Sequence, residues 1–116
     1  MKSKKKIKIF NLKSKIDFEE LFEKGTFIKH QSLGLRYLKT EDSKFFLGYT
    51  VSKKIKPRAV DRNLIKRRMK SEFYDLRNFF VENCPSGIYL FCYLRREIPL
   101  SSDISKNIAI LLKKIN

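Results

Sequence analysis

"AVDRNLIKRRMK", residues 59–70, decides how this chain folds and what it faces. Ile65 and Met69 stand four apart and Phe73 continues the row, so at about 100° per residue they form one apolar seam of a helix. Val60 and Leu64 add further apolar positions. Arg62, Lys66 and Lys70 step by four along the side next to the seam, and Asn63 and Arg67 widen that stripe. A helix beginning near Val60 can therefore rest on a core and still offer a cationic edge to solvent. The seam runs on through Leu76 and Phe80, which predicts one helix ending before Pro85. Arg62 falls in the first turn, where a cation opposes the helix dipole and a bound phosphate would relieve the conflict. Arg68 falls on the other side, where simple solvation is expected.

The charge extends upstream. Lys53, Lys54, Lys56 and Arg58 precede the helix, so residues 53–70 hold nine cations and a single acid, Asp61. A solvated helix face usually mixes signs; this one does not. The whole chain of 116 residues carries 27 Lys and Arg against 12 Asp and Glu, a net charge of +15. That imbalance is self-repulsive unless a polyanion offsets it, and nucleic acid is the leading candidate. A membrane surface would need a free apolar face, and here the apolar seam is committed to the core. No apolar run approaches the roughly 20 residues that cross a bilayer; residues 88–94 form the longest, and it is strand-sized. The basic N-terminus is not followed by the apolar core of a signal peptide. Cys84 and Cys92 match no metal-binding spacing, which suits a reduced, cytoplasmic protein.

Length and a 42% hydrophobic content predict one domain over residues 1–116, with residues 1–13 a flexible basic tail within a Lys-rich, acid-free N-terminal run. Ser14 and Asp17 resemble a capping box. Phe18, Leu21 and Phe22 follow at helical spacing, and Gly25 stands where a left-handed C-cap belongs, so residues 15–24 read as a helix. Thr26 to Lys29 is a short strand candidate. Leu33, Leu35 and Tyr37, then Phe45, Leu47, Tyr49 and Val51, alternate with residues of another kind, which predicts strands with two different faces. The nearly continuous apolar run at 88–94 suits a strand covered on both sides. Ile104, Ile108, Leu111, Leu112 and Ile115 mark a last amphipathic helix. The order predicts an α+β single-domain sandwich, with a small mixed sheet of about four strands and three helices.

No catalytic residue is predicted in the protein. The carboxylates are scattered, whereas metal-assisted hydrolysis needs them grouped around ions. Glu19 and Glu23 share a helix side, which a solvated face explains. His30 is the sole histidine and lacks a partner motif. No metal ligands are predicted.

Val51-Ser52-Lys53-Lys54, followed by Arg62-Asn63-Leu64-Ile65-Lys66-Arg67, resembles the signature of the bacterial ribonuclease P protein component. "DFEELFEKGT" (residues 17–26) is similar to that family's first helix, and "FLGYTVSKK" (residues 46–54) is similar to its central strand. Two departures stand out: Leu64 replaces a frequent Arg, with Arg68 as a candidate substitute, and Lys56-Pro57-Arg58 replaces a glycine-containing turn. The resemblance implies a protein subunit that binds a large catalytic RNA and helps it remove the 5′ leader of precursor tRNA. The chemistry and its Mg2+ would lie with the RNA. Lys54, Arg62, Asn63, Lys66, Arg67 and Lys70 would meet the catalytic RNA. A cleft between the first helix and the sheet would hold the leader, lined by Phe18 and Phe22 with Thr50, Ser52 and Lys53. Tyr37 joins them, or its neighbour Arg36, since the local alignment is ambiguous by one residue. A left-handed βαβ crossover through the basic helix is also implied. Partners would be the catalytic RNA and precursor tRNA, with no membrane. From the residues alone, Phe18 and Phe22 could equally be core, and a ribosomal or ribosome-assembly RNA-binding protein is the alternative function. A duplex-DNA reader would need a second helix joined by a tight turn, and strands precede this helix instead.

Overall fold

The computed structural model describes residues 8–115. Five strands form one mixed sheet: β1 (Ile9–Asn11), β2 (Thr26–His30), β3 (Leu33–Lys39), β4 (Phe45–Val51) and β5 (Gly87–Tyr93). Their spatial order is β1-β4-β5-β3-β2. Four helices complete the chain: α1 (Lys15–Lys24), α2 (Ala59–Tyr74), α3 (Arg77–Asn83) and α4 (Ser101–Lys114). The α+β class and mixed sheet agree with the sequence reading; one strand and one helix are additional.

The additional strand corrects the tail expected over residues 1–13. Ile9, Phe10 and Asn11 pair in parallel with Phe45, Phe46 and Leu47 of β4. Leu12 then buries its side chain under α1. Ile9, Phe10 and Leu12 outweigh the surrounding lysines, because they close an otherwise bare edge of the sheet. Residues 1–7 of the expected tail lie outside the described residues.

The additional helix comes from a break in the long basic helix. Asp75 and Leu76 leave the α-helical ladder: the Leu76 N–H bonds to Phe73 O at 2.8 Å, and α3 starts afresh at Arg77. The break lets Phe80 meet Phe73, Phe45 and Tyr89 edge-on at ring-centroid distances of 5.2, 5.1 and 4.7 Å. These are favourable aromatic geometries.

Period two sets the two faces of the sheet. Leu33, Leu35, Phe45, Leu47, Val51, Tyr89, Phe91 and Tyr93 pack with Ile65, Met69 and Phe73 of α2, Phe80 of α3 and Ile104, Ile108, Leu111 and Leu112 of α4. Leu12, Ile88 and Leu90 face the other way and pack with Leu21 of α1. β5 is the central strand and is covered on both faces, as its unbroken apolar run requires. β4 and β5 are parallel neighbours joined through α2 and α3, a βαβ crossover through the basic helix.

α1 begins as the sequence predicts. The Ser14 hydroxyl accepts a bond from the Asp17 N–H at 3.3 Å. Its other end corrects the reading. Gly25 is extended, at φ −74° and ψ 166°, and forms no left-handed cap. Glycine is required there for space: a Cβ would collide with the carbonyl oxygens of Leu21 and Tyr37, because the chain passes straight from α1 into β2.

Candidate nucleic-acid interface

Ile65, Met69 and Phe73 are buried against the sheet, which turns the opposite side of α2 outward. Asn63, Arg67 and Lys70 are exposed there, and Lys66 is half-buried beside them. Lys53 and Lys54 are exposed in the loop after β4. That loop is a tight turn: the Ser52 hydroxyl accepts from the Lys54 N–H at 3.0 Å, and the Ser52 carbonyl accepts from the main-chain N–H groups of Ile55 and Lys56. Among the described residues there is one ion pair, Arg58 with Asp61 at 3.9 Å. The ridge thus has almost no acid to neutralise it.

Two arginines do something the sequence did not reveal. The Arg62 guanidinium turns back and donates to the carbonyl oxygens of Lys56 and Pro57 at 2.9 and 2.6 Å. It closes the loop on the helix N-terminus, and those carbonyls offset the conflict with the dipole for which a phosphate was invoked. Arg68, expected to be merely solvated, donates to Pro99 O at 2.6 Å and ties α2 to the segment before α4. Lys56 likewise donates to Arg96 O at 2.7 Å. Carbonyl partners fix these side chains while leaving their full positive charge on the surface. Arg68 is therefore occupied and no simple stand-in for the Arg missing at Leu64. Leu64 itself lines a groove of about 450 Å³ between α2 and α4, together with Arg67, Arg68, Lys70, Ser71 and Ser101.

The second surface lies on the α1 face of the sheet. Phe18 is half-buried against Leu12, Leu21, Ile88 and Leu90, so it is partly core. Phe22 is 55% exposed. Gly48 packs under Leu12 on this face, and by alternation Thr50 and Ser52 share it. Register sets Thr50 beside Cys92, and Cys92 beside Gly34. Thr50 is half-buried and Ser52 and Lys53 are exposed, so this end of β4 leads from the α1 face to the basic loop.

Tyr37 is the predicted lining residue that does not belong. It stacks on Tyr89 at 6.0 Å and packs with the core on the opposite face of the sheet. Its neighbour Arg36 takes the position instead. The Arg36 guanidinium carbon lies 4.7 Å from the Phe22 ring centroid and 5.0 Å from that of Phe27. A shift of one residue along a strand exchanges the faces, which is why the alternatives could not be parted from sequence. Phe27 was missed altogether; its signal was an exposed aromatic in a short edge strand.

Burial pushes the Cys84 and Cys92 thiols up to about 11, so neither is a ready nucleophile or soft-metal ligand. Among the described residues no three His, Cys, Asp or Glu side chains gather as a metal site. Nor is any helix of the described residues long and apolar enough to cross a membrane.

Comparison with known proteins agrees with this geometry. The Ribonuclease P family model matches residues 8–116. The ribonuclease P protein component of Streptococcus pneumoniae is 33% identical over 76 residues, covering 66% of this chain and 61% of the relative. That of Streptococcus agalactiae is 36% identical over 63 residues, covering 54% and 57%. The matches thus span about three fifths of the length of these relatives. In fold, the chain is similar to the RNase P protein of Staphylococcus aureus, with a TM-score of 0.74 at 23% identity over 94% of this chain and 100% of that one. It is similar also to that of Thermotoga maritima, with a TM-score of 0.75 at 20% identity over 91% and 97%. A cationic ridge on α2 and exposed aromatic rings around Arg36 on the α1 face accompany a family match along nearly the whole sequence: the chain belongs to the ribonuclease P protein family.

Proposed function

We propose that this chain is the protein subunit of a ribonuclease P holoenzyme, in which a catalytic RNA removes the 5′ leader of precursor tRNA. The observation that carries this reading is the lack, among the described residues, of acid partners along α2. A stripe of Asn63, Lys66, Arg67 and Lys70, with Lys54 at its head, faces outward beside a single loose ion pair. Such a stripe suits a folded RNA, whose phosphates would displace counterions on docking. Arg62 serves this surface by holding the loop that presents Lys53 and Lys54.

The α1 face suits the leader. Single-stranded RNA is bound by aromatic platforms beside a cationic track. Phe22 and Phe27 are exposed rings next to Arg36, and Thr50 and Ser52 are small residues that leave room for a strand. The run from Thr50 to Lys54 joins the two surfaces, so leader and catalytic RNA would lie on either side of one short segment. The bond-breaking step and its Mg2+ are assigned to the RNA; the protein positions both nucleic acids in the cytoplasm. Sequencing the RNA recovered with the purified protein tests the partner. One abundant species that folds as a ribozyme and cleaves precursor tRNA is expected. Fragments of ribosomal RNA alone would contradict the reading.

A further inference from the structure

Arg36 differs from the other well-placed arginines. Arg62, Arg68 and Arg77 each donate to a main-chain carbonyl. Arg36 forms no ion pair among the described residues, and its Nε is buried with no hydrogen-bond partner. The Phe22 and Phe27 rings attract its charge through their negative faces but provide no in-plane acceptor for its N–H groups. The buried Nε makes this guanidinium unfavourable in the free protein, and its terminal N–H groups, with no protein acceptor, are left for an arriving one.

The sequence builds this position deliberately. Gly34 precedes Arg36 by two residues on the same strand face. Phe27 is the cross-strand partner of Arg36, and a Cβ at Gly34 would stand 2.5 Å from Phe27 Cζ, so glycine leaves room for that ring where it sits. Phe22 approaches from α1. Both rings remain partly exposed, at 55% and 41%, which is more than a core role would leave.

We propose that Arg36 is a specificity-determining residue that selects guanine at one position of the bound leader. This rests on the reading of the α1 face as the leader site. The guanidinium fork matches the O6 and N7 acceptors of guanine. Adenine offers N7 but places an amino donor where the second acceptor is needed. An aromatic surround favours a base, which has a π-face to stack, over a bare phosphate, which has none.

The test uses the holoenzyme with its cognate RNA subunit and a precursor tRNA pool randomised in the leader, read by competitive cleavage and sequencing. One leader position should favour guanine over adenine by about tenfold. With Arg36→Met the preference should fall to near unity while precursor still binds more tightly than mature tRNA. Arg36→Lys, which keeps the charge but not the planar fork, should keep only part of it. A precursor with 7-deazaguanine at that position should lose most of the advantage with unsubstituted protein, an arm independent of how the variants fold. Guanine preference absent, or present but unmoved by Arg36→Met, overturns the inference. An equal loss for all four bases overturns it in favour of a phosphate contact. If unsubstituted holoenzyme does not distinguish precursor from mature tRNA at all, the leader-cleft reading itself fails.

Discussion

The Arg62 guanidinium donates to the Pro57 carbonyl oxygen at 2.6 Å, so the most prominent cation of the helix start is a clasp for its own loop. Hydrogen bonds from a charged donor contribute about 1.5–3 kcal/mol each. Two such bonds to a partly exposed group, discounted for screening, give an expected loss of about 1–2 kcal/mol for Arg62→Ala. Urea denaturation measures it. RNA affinity should fall mainly through the disordered loop, with a small change in salt slope. A salt slope as reduced as that of the outward cations, with stability intact, would show Arg62 to be a direct phosphate contact.

Lys66, Arg67 and Lys70 are the outward members of the stripe. Each phosphate neutralised contributes roughly 0.7–0.9 to the slope of log affinity against log salt. Replacing all three with Ala should flatten the slope by about two units for binding to the catalytic RNA. An unchanged slope would remove α2 as the docking surface.

Phe22 is 55% exposed, so its removal should leave the fold intact. Phe22→Ala should weaken precursor binding by about tenfold, within the 1–3 kcal/mol range for one stacked base, and leave mature tRNA binding unchanged. Equal losses for both ligands would detach α1 from the leader.

Much of this was legible in the sequence, and the failures have specific causes. Ser14 and the Phe18-Leu21-Phe22 spacing gave α1 because capping and helical period are local signals. β1 was hidden because Ile9 and Phe10 sit among lysines, and only pairing with Phe45 and Phe46 makes them a strand. The α2–α3 break was hidden because Phe73, Leu76 and Phe80 keep helical spacing across it. Within the site, the stripe was visible as a pattern of charge. The destinations of Arg68 and Lys56 were not, since Pro99 and Arg96 are distant in the chain. Tyr37 and Arg36 differ by one step in a period of two, and only the sheet register decides between its faces.

The buried Cys84 and half-buried Cys92 thiols predict a pH dependence. Burial raises Cys84 and Cys92 from the ordinary value near 9 to about 11. A raised folded-state value means the unfolded chain releases its protons first as pH rises. Their contribution to stability is therefore constant below pH 9 and is lost between pH 9 and about 11. Half-buried Tyr49 and buried Tyr89, also raised by desolvation, extend the loss to higher pH. Urea midpoints across this range should fall, and the fall should be shallower in Cys84→Ala with Cys92→Ala. A midpoint that holds constant across this range would contradict the burial of both groups.

The division of labour between protein and RNA is most directly tested by precursor tRNA cleavage at physiological magnesium. The three arms are protein alone, cognate RNA alone, and both together. The account predicts no cleavage by the protein, little by the RNA, and efficient release of the 5′ leader by the pair. Site-specific cleavage by RNA-free protein would contradict it.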